Sequence, residues 1–392
     1  MEENIKNKLK LFQFVIPILF IFILLSCNVR QKTQEESGTE FVIPDEKPER
    51  YNLTLLAAGD NLFHEPIIRT HRQNGTYNFA PIYSEIKAII QKADIAFINQ
   101  ETVMAGTEFG YSGYPAFNTP QPLARTLADT GFSIVNLANN HAMDMGREGL
   151  HNTLDLFDTI DEITVIGARK TGESHFIITM NNITLGFLSY TYGLNGFTLP
   201  PAEPNLVSLI NRNKMSEEIN ALRPLCDFLI VSMHWGQEYL LEPDSFQRSI
   251  ALFLAEHNVD LIIGHHPHVL QPVVFLDRPD GKRTLCFYSL GNLVSNQREK
   301  ERILGALMLV TFTKEGERLF ISNSGILPVV CHFERYFTNT KVYPLYSYSQ
   351  ELLDKHYLKI LDRDIDFDFF NSILFNMRTK LVMDSFFLKG VW

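Results

Sequence analysis

Apolar residues recur along this chain in short runs, and the segments between the runs carry the spacing of amphipathic helices. The runs predict β-strands at residues 53–58, 94–98, 133–137, 228–233 and 259–263. The segments between them predict helices at residues 81–91, 119–129, 147–157 and 245–256. Thr119 followed by Pro120 indicates an N-cap and first turn. This alternation predicts a sheet with parallel strands that is covered by helices.

The pattern changes after Gly167. Residues 176–180 and 183–190 flank Asn181 and Asn182, which is typical of a β-hairpin. Further apolar runs, joined by short turns, predict strands at residues 273–276, 284–288, 307–313 and 319–323. We therefore expect mixed sheets, without an internal repeat and without a second globular domain.

The N-terminus has the composition of an export signal. Three lysines precede the apolar segment 11–25, which is followed by Ser26 and Cys27. A membrane-spanning anchor is the alternative, but a span usually needs about 20 apolar residues, and this run is shorter and contains Pro17. We therefore predict that residues 1–27 are a lipoprotein signal peptide. The mature protein is then exported and anchored to the cell membrane through a lipid on Cys27.

Three further regions follow from the pattern. Residues 28–50 are polar, contain two prolines and lack any regular period, so they are predicted to be a flexible linker. The regular alternation predicts a folded domain at residues 51–330. Residues 331–392 are rich in aromatic residues and are predicted to be a C-terminal extension, whose role the sequence does not indicate.

The composition is that of a globular protein: of 392 residues, 45% are hydrophobic and 20% are charged. The formal net charge of −10 argues against nucleic acid as a partner, because binding to a phosphate backbone depends on clustered Lys and Arg. Cys226, Cys286 and Cys331 lie in apolar surroundings and lack the spacing of a zinc knuckle or redox motif. We interpret them as buried core residues, with one disulfide and one free thiol as the alternative.

Unusual polar clusters follow the predicted strands at their carboxyl ends, where ligands bind in α/β proteins. These clusters are Gly59-Asp60, Asn99-Gln100-Glu101, Asn139-Asn140-His141, His234-Trp235-Gly236-Gln237-Glu238 and Gly264-His265-His266-Pro267-His268. Each alone has an ordinary interpretation: Asp60 as a turn or cap residue, Glu101 as a solvated loop charge, His234 as a core histidine. Several such clusters at one sheet edge instead indicate a binding site.

The types of donor in these clusters indicate a metal site. Carboxylates, amide oxygens and imidazoles together suit divalent ions of intermediate hardness such as Mn, Zn or Fe. No cysteine lies near the clusters in the sequence, which argues against a structural thiolate zinc site. The number of candidate ligands allows one ion or two, and two ions about 3.5–4 Å apart are typical of hydrolytic centres.

The motifs of this site are Gly59-Asp60, Asn99-x-Glu101, Asn139-Asn140-His141-x-x-Asp144-x-Gly146, His234-x-Gly236-x-Glu238, Gly264-x-His266-Pro267-His268-x-x-Gln271 and Ser289-Leu290-Gly291-Asn292. In order and spacing they resemble the CapA family of poly-γ-glutamate capsule synthesis proteins, a family similar to the calcineurin-like metallophosphoesterases. The resemblance covers about residues 51–327. It implies an α/β sandwich of two mixed β-sheets packed face to face, with flanking helices and the site at one edge.

The resemblance also implies roles for individual residues. The implied metal ligands are Asp60, Glu101, Asn140, His234, His266 and His268. Catalytic roles fall to His141 and Asp144. The residues implied to support the ligands or to contact the substrate are His64, Asn99, Glu238, His265 and Asn292. Leu62 stands where the phosphoesterases have a histidine, and we expect His64 to reach inward instead.

The function implied by the resemblance is that of a membrane-tethered metal-dependent hydrolase or polymer-handling factor in poly-γ-glutamate, capsule or cell-envelope biosynthesis. Two alternatives stay open. One is a non-enzymatic module that binds and tethers polymer through its metal, and the other is a phosphodiester hydrolase unrelated to capsule. The expected partners are a cell-envelope polymer or a small anionic substrate, the membrane, and capsule-synthesis membrane proteins.

Overall fold

The computed structural model describes residues 48–361 and 364–378. Contacts divide the chain into two units, Met1–Lys47 and Pro48–Trp392, and all described residues belong to the second unit. The predicted signal peptide, its lipid-bearing Cys27 and most of the predicted linker lie outside the described residues. Within the described part of the chain, no helix has the length and apolar composition that crossing a bilayer requires.

Strands and helices alternate through most of the described chain. The strands are β1 (Arg50–Asn61), β2 (Arg72–Gln73), β3 (Thr76–Tyr77), β4 (Ile95–Gln100), β5 (Ile134–Asn136), β6 (Thr164–Ile166), β7 (Phe176–Met180), β8 (Ile183–Thr191), β9 (Phe228–His234), β10 (Leu261–His265), β11 (Leu270–Asp277), β12 (Arg283–Leu290), β13 (Asn292–Val294), β14 (Leu304–Glu315), β15 (Arg318–His332) and β16 (Lys341–Pro344). The α-helices are α1 (Glu65–Thr70), α2 (Ala80–Tyr83), α3 (Lys87–Ile90), α4 (Pro122–Thr130), α5 (Gly146–Phe157), α6 (Arg212–Leu222), α7 (Ser245–Glu256), α8 (Gln350–Lys355), α9 (Tyr357–Leu361) and α10 (Phe367–Arg378).

Two large mixed sheets contain most of these strands. The first has the order β16-β15-β14-β1-β4-β5-β6, with β13 paired to β1. The second has the order β11-β12-β10-β9-β8-β7. In the first sheet β1, β4, β5 and β6 run parallel, and in the second β8, β9, β10 and β12 do so. The short strands β2 and β3 form a separate hairpin.

The alternation of side chains along each strand produces the layers. In β1, Leu53 and Leu55 pack in a core between the sheets, together with residues of the second sheet such as Phe187. The next residue, Leu56, faces the other way, into a second core with helix residues such as Leu127. A third core packs the second sheet against α6 and α7. The predicted fold class, two mixed sheets face to face with flanking helices, is confirmed.

Two of the predicted helices differ from those in the structure, one in its first residue and one in its continuity. The helix predicted at 119–129 begins at Pro122, because this second proline occupies the first helical turn and Thr119 instead donates to Thr102 at 2.7 Å. The single helix predicted at 81–91 is two short helices, α2 and α3. Tyr83, the last residue of α2, donates through its hydroxyl to the buried Asn61 at 2.8 Å.

The described part of the predicted C-terminal extension packs against the domain. β15 runs to His332, past the predicted boundary at residue 330, and Phe333, Leu358 and Phe370 belong to the core between the sheets. Burying a large apolar side chain stabilises a fold by about 1.5–3 kcal/mol, so these residues contribute to stability. Cys286 and Cys331 are buried, Cys226 is half-buried, and all three carry free thiols, in agreement with their interpretation as packing residues.

Candidate metal centre

Four strands bring the predicted residues to one place. Asp60 is near the end of β1 and pairs in parallel register with Asn99 of β4, which Glu101 follows. In the second sheet His234 ends β9, in parallel register with His265 at the end of β10. Because parallel strands end at the same edge of a sheet, strand direction alone places these side chains near one another within each sheet.

A close approach of two backbones sets the position of Asp60. A Cβ atom on Gly59 would lie 2.1 Å from the carbonyl oxygen of Gly291, so only glycine fits there. The amide of Asp60 donates to the same carbonyl at 2.9 Å. Asp60 of β1 pairs with Asn292 of β13 at this point. The Gly-Asp and Gly-Asn motifs therefore lie side by side.

The carboxylate of Asp60 is buried and surrounded by donors. Nδ2 of Asn99 donates to Oδ1 at 2.8 Å, and the backbone amide of His266 donates to Oδ2 at 3.2 Å. Nδ1 of His268 lies 3.0 Å from Oδ2. Burial works to raise the pKa of Asp60, yet the imidazoles of His265 and His268 hold this pKa well below its usual range. Asp60 is therefore ionised, which is the form that binds a cation.

The surroundings of Glu101 are different. Its side chain is fully buried, yet within the described residues neither carboxylate oxygen has a hydrogen-bond partner. Nε2 of His234 lies 3.5 Å and Nε2 of His268 lies 3.6 Å from Oε1. Burial, followed by the charges of Asp60 and Glu238, raises the pKa of Glu101 well above its usual range. A buried acid without a donor is costly unless a cation neutralises it, so this geometry fits a divalent ion.

Two histidines of the site lie on strained backbone. The φ angles of His266 and His268 are 96° and 59°, in the region that favours glycine. The amide of Tyr239 donates to the carbonyl of Pro267 at 2.8 Å and so fixes the loop between them. Burial and the charge of His268 lower the pKa of His266 to about 3, and burial also lowers the pKa of His234. Both rings are therefore neutral, as a metal ligand must be.

The ligand atoms of these side chains form three overlapping groups, and within each group all atoms lie within 4.8 Å of one another. The groups are Asp60 with Glu101 and His268, Glu101 with His234 and His266, and Glu238 with His266 and His268. Each ligand atom of a bound ion lies about 2.0–2.3 Å from it, so such spacing is compatible with a shared ion. Glu101 belongs to two groups. Glu238, for which we predicted a supporting or substrate-contacting role, also offers a ligand atom.

The loop after β5 adds an amide and an imidazole. Oδ1 of Asn140 lies 2.8 Å from Nε2 of His234, so the two atoms are close enough to bind one ion. Nδ1 of His141 lies 2.8 Å from Oδ2 of Asp144, and the His141 ring packs edge-on against Phe117 with centroids 4.7 Å apart. The amide of Phe117 donates to the same Asp144 oxygen at 2.7 Å. Asn140 thus lies among the candidate ligands, whereas Asp144 orients His141 beside them.

Two of the predicted supporting residues contact the candidate ligands directly, and a third lies close to one. Asn99 donates to Asp60 as described, and Oδ1 of Asn292 lies 3.1 Å from Nδ1 of His268. His265 stacks on Phe97 with ring centroids 5.8 Å apart, and its Nδ1 lies 3.5 Å from Oδ1 of Asp60. That distance makes the influence of His265 on Asp60 electrostatic rather than a well-formed hydrogen bond.

His64 borders the site. Its ring packs edge-on against Phe117, and its Nδ1 lies 3.2 Å from the carbonyl oxygen of Leu62. Burial, and then the charges of His268 and His141, lower the pKa of His64 to about 4. Among the described residues, His64 belongs to none of the three ligand groups. It is therefore placed next to the candidate ligands and is not one of them.

One loop of the site was missed by sequence reasoning. Residues 192–196 follow β8, whose last residue pairs with His234. Asn195 of this loop accepts a hydrogen bond from Asn140 at 3.1 Å, and the ring of Tyr192 lies nearly parallel to that of His234, with centroids 6.4 Å apart. The signal was present, because this polar, glycine-containing segment also follows a predicted strand. The hairpin pattern that predicts this strand assigns no role to the residues that follow it.

Comparison with known proteins identifies relatives with capsule-related names. Over 207 residues the chain is 31% identical to the "PGA biosynthesis protein CapA" of Bacillus subtilis (strain 168), which covers 52% of this chain and 53% of that protein. It is 25% identical over 294 residues to the "Capsule biosynthesis protein CapA" of Bacillus anthracis, covering 72% of this chain and 68% of that protein. The chain therefore spans about half the length of the first relative.

Solved structures to which the chain is similar include the calcineurin-like phosphoesterase YfkN from Bacillus subtilis, with a TM-score of 0.45 and 12% identity over 84% of this chain and 99% of that chain. A putative 5′-nucleotidase from Staphylococcus aureus has a TM-score of 0.46 and 16% identity over 71% of this chain and 54% of that chain. Residues 54–297 match the family model described as bacterial capsule synthesis protein PGA_cap. Since this match spans more than half of the chain, the protein belongs to the PGA_cap family, as its motifs predicted.

Proposed function

We propose that this protein is a metal-dependent hydrolase that acts on an anionic polymer of the cell envelope during capsule biosynthesis. The observation that carries the proposal is the carboxylate of Glu101, which is fully buried and, within the described residues, has no hydrogen-bond partner. A carboxylate in that position needs a cation to offset the cost of its burial. His234 and His268 turn ring nitrogens toward the same oxygen, at 3.5 and 3.6 Å.

The donor set supports two adjacent ions that share Glu101. Asp60 and His268 would complete one set of ligands, and His234 and His266 the other. Asn140 adds an amide oxygen on the side of His234. Bound divalent ions would polarise the bond to be cleaved and activate water at neutral pH.

His141 is the candidate for proton transfer. Because Asp144 engages its Nδ1, the second ring nitrogen, Nε2, is the atom left to exchange a proton with the substrate. The edge-on contact with Phe117 fixes the plane of the ring. Protonation of a leaving group by a positioned imidazole contributes typically about 10²–10⁴-fold to a rate.

An anionic polymer suits this site for a local reason. The protein carries a formal net charge of −10, so its overall field does not attract polyanions. Bound ions reverse that sign inside the site. Beside the site, Tyr239 lies 6.1 Å from His268 by ring centroids, and the guanidinium of Arg302 lies 3.4 Å from the centre of the Tyr239 ring. Nη1 of Arg302 pairs with Oε2 of Glu299 at 2.7 Å, so Tyr239 and the remaining guanidinium nitrogens of Arg302 form a rim that can contact a carboxylate-bearing chain.

The test uses protein from residue 40 onward. Metal content is measured by elemental analysis, and turnover is measured on a generic phosphodiester and on γ-linked glutamate polymer. We expect bound Mn, Zn or Fe and cleavage of the polymer. Absence of metal contradicts the proposed centre. Metal with polymer binding but no cleavage supports a tethering module instead, and cleavage of the phosphodiester alone supports a hydrolase unrelated to capsule.

We also propose membrane anchoring through a lipid on Cys27, which the lipoprotein-like start of the sequence supports. Cys27→Ala should abolish labelling of the full chain by a clickable fatty acid in cells. Cys226→Ala is the matched control, because this half-buried free thiol lies in the folded domain and its loss should leave labelling unchanged. Labelling that persists in Cys27→Ala would refute the anchor.

A further inference from the structure

The loop at residues 192–196 is tied to the strand that carries His234. The amide of Tyr192 donates to the carbonyl of His234 at 2.9 Å, and Thr191, just before the loop, donates through its hydroxyl to the carbonyl of Gly193 at 3.2 Å. Leu194 is buried in the core under the first sheet. These contacts hold the loop rigidly beside the candidate metal centre.

The loop engages the amide group of Asn140. Oδ1 of Asn195 accepts from Nδ2 of Asn140 at 3.1 Å. Burial raises the pKa of Tyr192 to about 12, and the side chain of Asn140 works in the opposite direction, which places the Tyr192 hydroxyl near the same amide. The NH₂ group of Asn140 therefore points toward Asn195.

The opposite side of the Asn140 amide faces the centre. Its oxygen lies 2.8 Å from Nε2 of His234, on the side of the Glu101 carboxylate. An amide binds a cation through oxygen, while its NH₂ group repels one. If the amide group of Asn140 were rotated by 180°, its NH₂ hydrogens would point toward the ion. Its oxygen would then face Oδ1 of Asn195, which is also an acceptor.

Asn195 also approaches His141, at 3.3 Å between Nδ2 and the ring Nδ1. That nitrogen already lies 2.8 Å from Oδ2 of Asp144. A single ring nitrogen cannot donate to Asp144 and accept from Asn195 together, and the shorter, carboxylate contact is the stronger one. The hydrogen bond of Asn195 that matters for the site is therefore the one it accepts from Asn140.

We propose that Asn195 is a positioning residue that turns the oxygen of Asn140 toward the ion, with Tyr192 as its assistant. This inference rests on the proposed metal centre. The residue acts through Asn140 and touches no candidate ligand other than Asn140 in the contacts described above. Removal of a group that orients a metal ligand typically weakens metal binding about 10–100-fold.

A simpler role for Asn195 is that of a turn residue. Its φ angle is 49°, in the left-handed region that asparagine and glycine tolerate well. Asn195→Gly keeps this backbone conformation while it deletes the acceptor, so a purely conformational role predicts no loss. Asn74 has the same φ of 49° in the turn between β2 and β3, so Asn74→Gly is the matched control.

The experiment titrates Co²⁺ into metal-free wild type and variants, with competition by a chelator and the visible spectrum as the signature of coordination. We expect Asn195→Gly to bind at least one ion about 10–100-fold more weakly with an altered spectrum. Tyr192→Phe should weaken binding less, because Asn195 still accepts. Asn195→Asp should retain tight binding, because its carboxylate accepts the same hydrogen bond, and Asn74→Gly should match wild type.

The outcomes separate two failures. If wild type takes up no ion, the proposed metal centre is wrong and the role of Asn195 falls with it. If wild type binds ions and Asn195→Gly binds them equally well, only the positioning role is overturned. Equal weakening by Asn195→Asp and Asn195→Gly would also overturn it, since the acceptor would then be irrelevant. Melting curves of the metal-free variants show whether each has folded.

Discussion

His234, His266 and His268 lie beside two buried carboxylates at the strand ends, whereas His332 and His356 are buried within the C-terminal segment. His332 and His356 both make hydrogen bonds to their surroundings, although Nε2 of His332 has no hydrogen-bond partner within the described residues. Nδ1 of His332 lies 2.7 Å from the hydroxyl of Tyr348, while His356 contacts the carbonyl of Cys331 at 3.2 Å and accepts from the amide of Leu358 at 3.1 Å.

Burial alone does not separate the two groups. It lowers the pKa of His266 and of His356 to about 3, and that of His332 to about 4. The difference lies in the partners. Around His356 ring nitrogens meet backbone groups, but the ligand groups pair imidazoles with acids, and Glu101 has no donor within the described residues. A candidate metal site is recognised here by a buried acid without donors, Glu101, and not by histidines with low pKa values.

The largest expected effect is loss of metal from the centre. His266→Ala combined with His268→Ala should remove most of the bound ion, because each of the three ligand groups contains at least one of these rings. Elemental analysis of the purified protein measures the loss. The control is His332→Ala combined with His356→Ala, which should keep the metal in whatever fraction folds. Full metal content in the first double variant would show that His266 and His268 are not metal ligands.

The next effect concerns rate. His141→Ala should lower turnover by about 10²–10⁴-fold while metal content and melting temperature stay near those of wild type. The reason is that His141 is oriented by Asp144 and lies outside the three ligand groups. Rate, metal content and melting temperature are measured on the same preparation. Metal loss would make His141 a ligand, and a lower melting temperature with a normal rate would make it a structural residue.

A smaller effect concerns the stability of the C-terminal pair. His356→Ala should cost about 2–4 kcal/mol of unfolding free energy, because the variant loses a fully buried ring packed against Phe333 and leaves the amide of Leu358 without its acceptor. Urea unfolding of metal-free protein measures this change. His266→Ala should cost less under the same conditions, since Nδ1 of its ring has no hydrogen-bond partner within the described residues. The reverse order would contradict the comparison.

The last effect is a pH dependence that is absent at neutral pH and develops only as the solution is acidified. In the folded protein burial lowers the pKa of His332 from 6.5 to about 4, so the unfolded chain takes up this proton first as pH falls. Stability is therefore fully present above pH 6.5 and is lost as pH falls toward 4, with a slope of up to about 1.4 kcal/mol per pH unit. In metal-free protein His332→Gln should flatten the stability curve over this window. An unchanged slope would show that the His332 proton is not involved.

Much of the architecture was predictable from local patterns. The strands predicted at 53–58 and 228–233 lie within β1 and β9, and the helix predicted at 245–256 is α7. Local sequence suffices there because the apolar period is strong and, for α7, Asp244 and Gln247 form a capping box. The start of α4 was not predictable in this way, since two prolines compete for its first turn and tertiary contacts of Thr119 decide between them.

The sequence by itself determined which residues are available for chemistry. Asp60, Glu101 and His234 lie at or just after the ends of strands, and strand direction sends the ends of parallel strands to one edge. Only the tertiary structure decided what each of them meets. Whether Glu101 is a solvated charge or a buried acid depends on the packing of one sheet against the other. The contact between Asn140 and Asn195 likewise joins segments 55 residues apart, and no local period encodes it.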